Sequence, residues 1–146
     1  KNTVSFLYYS FLWCIFASCS TEVTLGVSSF LFLFKAMYTV IKRMEFSASH
    51  SLKLSYRSKC ENLHGHNWII TVYCRSEVLN EDGMVVDFTH IKETVMGRLD
   101  HRNLNEVVSF NPTAENIARW VCEQIPTCFK VEVRESEGNT GIYEKD

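Results

Sequence analysis

An α+β fold, one antiparallel sheet carrying two helices, is predicted by three features of this 146-residue chain. Two β-rich runs lie early, at residues 38–49 and from His64 to about residue 77. Two segments with apolar residues at helical spacing follow, at 89–99 and 113–125. A last alternating run, 130–135, is closed by the turn Gly138-Asn139-Thr140-Gly141 and the edge pair Ile142-Tyr143. Strands, then helices, then strands is the ordering of an α+β domain rather than of repeated βα units, and it reads ββααββ.

Each element has its own signature. Residues 38–49 alternate well enough for a strand, and they deliver His50 at its end, past Phe46, Ala48 and the small Ser47 and Ser49. A polar loop, 51–60, leads into the second strand. Asn80-Glu81-Asp82-Gly83 is an Asp-Gly turn that favours a hairpin, and Met84-Val85-Val86-Asp87 reads as a short continuation of the sheet. Phe88, Ile91, Val95 and Leu99 recur at spacings of three and four, which makes 89–99 an amphipathic helix with one buried face. Asp100-His101-Arg102-Asn103-Leu104-Asn105 breaks it. Asn111 or Thr113 caps the second helix, and Pro112 suits its first turn. Ala114, Ile117, Ala118, Val121 and Ile125 form the buried stripe of that helix before Pro126 ends it.

The length suits one domain. A formal net charge of −2, with no cluster of Lys and Arg interleaved with aromatics, argues against nucleic acid as a partner. Six cysteines, Cys14, Cys19, Cys60, Cys74, Cys122 and Cys128, show irregular spacing and no Cys-x-x-Cys pair, so the chain is read as belonging to a reducing compartment, the cytoplasm. Residues 1–36 differ from the rest, with only Lys1, Glu22 and Lys35 charged. Three readings compete there: a signal-peptide core at 6–17 with a small-residue exit, a short membrane span in the charge-free stretch between Asn2 and Thr21, or an apolar extension outside the functional protein. The third is favoured, because the segment begins with Lys and stops just before Met37-Tyr38-Thr39-Val40-Ile41, which resembles an ordinary start followed by a strand. Residues 37–146 are then the single functional domain, with no membrane partner unless the extension is real. Of 15 basic and 17 acidic residues, removing two lysines and one glutamate leaves 13 and 16, net −3, and the argument about nucleic acid stands.

The chemistry concentrates in Cys60-Glu61-Asn62-Leu63-His64-Gly65-His66-Asn67. On a strand, the two-residue period sends His64 and His66 to one face, and His50 ends the neighbouring strand. Three imidazoles with an open fourth position make a catalytic zinc set, whereas closed structural sites usually take four protein ligands. Cys60 is either the fourth ligand of a closed site or a free thiol whose pKa falls from about 8.5 towards neutrality beside a metal, becoming a usable base or nucleophile. Asp100-His101 sets a carboxylate beside an imidazole, either an acid/base pair or a surface loop with a capping Asp. Glu135 ends an apolar strand. Facing inwards, it has to be paired, and a partner with two parallel N–H donors, such as the amino-pyrimidinone edge of a pterin or guanine, would satisfy it; facing outwards, it is a solvated strand end. Thr113 and Glu115 cap the second helix or reach the same ligand, with capping favoured for Glu115. His90 reads as surface, Cys74 and Cys122 as core, and Cys128 has no assigned role.

Phe46-Ser47-Ala48-Ser49-His50, Cys60-x-x-x-His64-Gly65-His66-Asn67, Gly83-Met84-Val85-Val86-Asp87-Phe88, Leu99-Asp100-His101-Arg102-Asn103-Leu104-Asn105, Asn111-Pro112-Thr113-Ala114-Glu115-Asn116 and Glu135 together resemble the 6-pyruvoyltetrahydropterin synthase family. The three-residue gap between Cys60 and His64 resembles the 6-carboxytetrahydropterin synthase branch of queuosine biosynthesis, and Val86-Asp87-Phe88 leans the same way. The resemblance implies a tunnelling fold: an antiparallel sheet with two helices on one face, whose subunits close a barrel in a tetramer or hexamer with sites between subunits. It implies Zn²⁺ on His50, His64 and His66, Cys60 as catalytic thiol, Asp100 and His101 as acid/base pair, and Glu135, with Thr113 as a weaker contact, on the pterin. The implied reaction is a carbon-carbon lyase step converting 7,8-dihydroneopterin triphosphate to 6-carboxytetrahydropterin, acetaldehyde and triphosphate. The alternatives are pyruvoyltetrahydropterin formation and a zinc-stabilised binding module without turnover.

Overall fold

The structure, a computed structural model, describes residues 36–146, so the readings of the apolar N-terminal segment lie outside the described residues. Strand β1 (Tyr38–His50) pairs antiparallel with β2 (His64–Ser76) along its whole length, with Tyr38 opposite Ser76 and His50 opposite His64. β2 pairs antiparallel with β4 (Cys128–Ser136), and β4 with β5 (Asn139–Glu144). A two-residue strand, β3 (Arg102–Asn103), lies parallel to β1 on its other side, giving the sheet order β3-β1-β2-β4-β5. Helix α1 (Phe88–Leu99) packs on β1, and α3 (Ala114–Gln124) packs on β4 and β5, with one further turn, α2 (Leu104–Val107), between them. The α+β architecture is as the pattern predicts, with an open sheet in the single chain.

The core follows from strand alternation. Met44, Phe46 and Ala48 of β1, Trp68, Ile70, Val72 and Cys74 of β2, and Val131 and Val133 of β4 share the helix-facing side and are buried. Onto them α1 lays Ile91, Val95 and Leu99, and α3 lays Ile117, Ala118, Val121 and Cys122. Asp87 caps α1 by accepting from Thr89 N, and Thr113 caps α3 by accepting from Asn116 N.

Three expectations fail locally. Residues 84–87 do not extend the sheet, and the Asp-Gly turn makes no hairpin; Asn80 Oδ1 instead accepts from the amides of Asp82 and Met84, closing a loop in which Gly83 has φ +76°. Val85 turns into the core there, and Asp87 is committed to the cap. Phe88 is exposed, with the Lys42 ammonium 5.7 Å from its ring centroid, so the buried stripe of α1 starts at Ile91. The stretch 100–105 breaks α1 as expected, but it also builds β3 and opens α2. Cys74 and Cys122 are core residues, and so is Cys128, which stands opposite Cys74 in the sheet.

Gly141 fixes how β5 meets α3. A methyl group at this position would lie 2.8 Å from Glu115 N and 2.9 Å from Ala114 Cβ, atoms held by the first helical turn. Gly141→Ala is therefore expected to destabilise the fold by about 1–3 kcal/mol, the usual cost of forcing atoms into a packed site. Thermal melting should show a Tm lower by roughly 5–15 °C, and an unchanged Tm would mean that β5 moves aside freely.

Candidate active site

The core face does not end in apolar residues. Beyond Trp68 the same alternation continues as His66 and His64 on β2, as His50 on β1 and as Glu135 on β4. One hydrophobic face thus becomes polar at one end of three adjacent strands. Trp68 is the partition: its ring stacks near Phe46 at 6.0 Å on one side and meets His50 at 4.8 Å and His66 at 5.6 Å on the other, while its Nε1 donates to Ala48 O at 3.2 Å.

The ligand atoms of His50, His64, His66 and Glu135 all lie within 4.8 Å of one another. His50 is fully buried, and its Nδ1–H donates to Pro112 O at 2.8 Å; His64 Nδ1–H donates to Asn62 O at 2.7 Å. A carbonyl can only accept, so these bonds place the proton on Nδ1 and leave an Nε2 lone pair for the cluster centre. Burial holds the His50 pKa below its usual value against the opposing pull of the Pro112 carbonyl and Glu135, which favours the neutral, ligating form. Glu135 Oε1 approaches His50 Nε2 to 2.9 Å and His66 Nε2 to 3.5 Å, yet both Nε2 atoms are buried without a hydrogen bond of proper geometry. Two orphaned buried nitrogens aimed at one point beside a carboxylate fit a divalent metal of the zinc type.

The sequence-predicted Asp100 and His101 do pair, Oδ1 to Nδ1 at 2.9 Å. His101 has φ +55°, a left-handed conformation uncommon outside glycine, and it is held there by its own N–H donating to Ser47 O at 2.7 Å. The amide of Ser47 donates back to Asp100 Oδ1 at 3.0 Å, and this bond is the largest cause keeping the Asp100 carboxyl below its ordinary range, with the His101 ring adding to it. Asp100 is thus a fixed anion that orients an exposed imidazole.

A groove of ≈ 830 Å³ is lined by His66, Glu135, Asn67, His101 and Arg102, so the His101 end of the dyad and the His66–Glu135 side of the cluster open onto one space. A second hollow of ≈ 480 Å³ is lined by Thr113, Glu115, Gly141 and, again, Glu135, so the two spaces meet at that carboxylate. Thr113 Oγ1 is the α3 cap, and its hydroxyl proton remains available to the hollow; Glu115 is in the first turn rather than at the cap. Cys60 is not one of the four converging groups. It is half-buried on the 3₁₀ turn Lys59–Glu61, which is closed at its start by a Ser58/Glu61 capping box. His90 is exposed, as expected.

Residue spacing gave no sign of Ser47, whose backbone holds Asp100 from 53 residues away and His101 beside it, or of Pro112, whose carbonyl sets the His50 tautomer from 62 residues away. These are backbone contacts, and no side-chain pattern encodes them. Asn111 is missed in a similar way: its amide bonds Lys53 N and Lys53 O, tying down the loop that leads to Cys60.

An open, mainly antiparallel sheet whose polar end gathers three imidazoles and a carboxylate beside a carboxylate–imidazole dyad defines an α+β protein with a candidate metal centre. The chain belongs to the 6-pyruvoyl tetrahydropterin synthase family, whose sequence profile matches residues 39–146. It is 35% identical over 121 residues to 6-carboxy-5,6,7,8-tetrahydropterin synthase of Synechocystis sp., covering 73% of this chain and 93% of that one. It is 42% identical over 89 residues to the dihydroneopterin monophosphate aldolase of Pyrococcus furiosus, covering 59% of this chain and 73% of that protein. The solved 6-pyruvoyl tetrahydropterin synthase of Caenorhabditis elegans superposes with TM-score 0.62 at 30% identity, over 77% of this chain and 99% of that one. Among the described residues, no helix is long and apolar enough to cross a membrane.

Proposed function

We infer that this protein is a zinc-dependent 6-carboxy-5,6,7,8-tetrahydropterin synthase acting on 7,8-dihydroneopterin triphosphate in queuosine biosynthesis, as a cytoplasmic homo-oligomer with sites between subunits. The observation that carries the reading is the convergence of His50, His64, His66 and Glu135 where two hollows meet, one large enough for a ring and the other running to the Asp100–His101 dyad. The name of the Synechocystis relative supports the carboxy branch.

In this reading His50, His64 and His66 hold zinc, which when bound supplies Lewis acidity to the hydroxyl oxygens of the pterin side chain. Glu135 pairs with the amino-pyrimidinone edge and fixes the ring, with the Thr113 hydroxyl as a further donor. Cys60 takes and returns a proton on one side of the pterin side chain, and His101, oriented by Asp100, does so on the other. These transfers allow an internal redox shift without a nicotinamide. Triphosphate leaves, a carbon–carbon bond breaks, water is consumed, and the products are 6-carboxytetrahydropterin, acetaldehyde and triphosphate.

Product identity tests the reading. The purified protein, given dihydroneopterin triphosphate, is expected to release acetaldehyde and triphosphate together. Triphosphate without acetaldehyde would establish the pyruvoyl reaction instead. A two-carbon aldehyde still carrying its phosphate would establish aldol cleavage of the kind named for the Pyrococcus furiosus relative.

A further inference from the structure

Arg102 is the only Lys or Arg among the described residues lining the large groove. Its Cα is fixed by the pairing of β3 with β1, opposite Ala48, one residue from the dyad. Three other arginines are engaged: Arg119 with Glu123, Arg98 with Gln124 and Arg75 against the Phe129 ring. Among the described residues, no carboxylate, carbonyl or ring holds the Arg102 guanidinium. The nearby acids are committed elsewhere, Asp100 to His101 and Ser47 and Glu106 to the Asn103 amide. Across the groove, Asn67 Oδ1 accepts from Ser47 Oγ at 2.8 Å, which leaves its two amide N–H donors unspent.

The spaces form a series. The hollow at Thr113 shares Glu135 with the groove, and the groove shares Arg102 and Asn103 with a third hollow of ≈ 340 Å³ that also contains Arg98, bonded to Gln124, and Glu106, bonded to the Asn103 amide. A carboxylate therefore stands at one end of the groove and free guanidinium donors at the other. That polarity matches a ligand whose head offers N–H donors and whose tail is a polyanion. Building on the proposed pterin phosphate substrate, we propose that Arg102 and Asn67 form the subsite for its phosphate chain, with Arg102 as the main contact. A guanidinium fork suits phosphate oxygens, and a fixed cation there also stabilises the charge that collects on a departing triphosphate.

The test compares the zinc-loaded wild type with Arg102→Gln and Arg102→Lys, using two probes: inorganic triphosphate and unphosphorylated neopterin. Calorimetric titration of Arg102→Gln should show inorganic triphosphate bound about ten- to a hundredfold more weakly, as expected for losing a charge-assisted pair. Arg102→Lys should lie between it and the wild type, because the charge stays and the fork is lost. Neopterin affinity should change less than about twofold in either variant, since neopterin has no phosphate for Arg102 to hold. Any direct contact of triphosphate with zinc is common to all three proteins and drops out of the comparison. Equal triphosphate affinity in the wild type and Arg102→Gln, or an equal loss of neopterin binding, would overturn the subsite. The product assay is independent: Arg102-dependent triphosphate binding without dihydroneopterin triphosphate turnover would uphold the subsite and discard the synthase reading.

Discussion

Cys60→Ala is expected to keep its zinc and lose its activity. The metal-ligand atoms that converge in the fold come from His50, His64, His66 and Glu135, with no thiol among them, so removing the sulfur takes nothing from that group. Nor does the turn depend on it: Ser58 and Glu61 cap each other's backbone, and the Cys60 carbonyl, which alanine keeps, accepts from Leu52 N at 2.8 Å. A proton-transfer group contributes typically about 10²–10⁴ in rate, and kcat should fall by that factor. Metal content by elemental analysis should stay at one zinc per chain, and Tm should move by less than a few degrees. Loss of zinc together with stability would instead make Cys60 a structural ligand and favour a binding module.

The two long strands were legible because they bury one face, and a two-residue period cannot slip without turning that face outward. The same period put His64 and His66 together and, through the register of β1 against β2, brought His50 opposite His64. Residues 84–87 misled because Val85-Val86 has strand composition, while the local decision belongs to Asp87, whose cap on α1 turns the chain off the sheet. Phe88 misled because a residue in the first position of a helix belongs to its periodic stripe without lying over the partner sheet. The Asp100–His101 dyad was legible as a pair of residue types, but not as a geometry. Its alignment depends on a left-handed His101 and on the backbone of Ser47 in β1, alongside which the pairing of β3 brings the dyad. The resemblance named the zinc set and the pterin carboxylate separately, and the fold places them side by side.

That adjacency makes Glu135→Gln the sharper experiment. Glu135 Oε1 lies 2.9 Å from His50 Nε2, which is the position of a fourth ligand, and its residue also lines the hollow of Thr113 and Gly141, which is the position of a ring anchor. The two roles make different demands on the side chain. A ring anchor needs two acceptor oxygens for two parallel N–H groups, and glutamine turns one of them into a donor that opposes the ligand. A metal ligand needs one oxygen, which glutamine still offers, although without the charge. As the anchor, Glu135→Gln should weaken pterin binding and kcat/KM by on the order of 10²-fold, the size of a lost charge-assisted pair plus an unpaired buried donor. Zinc stoichiometry should stay at the wild-type value, because the three histidines and the carbonyl bonds that orient His50 and His64 are untouched. Zinc loss with unchanged neopterin affinity would assign Glu135 to the metal and require another partner for the pterin edge. The reading of one carboxylate between two spaces rests on zinc content and pterin affinity responding separately.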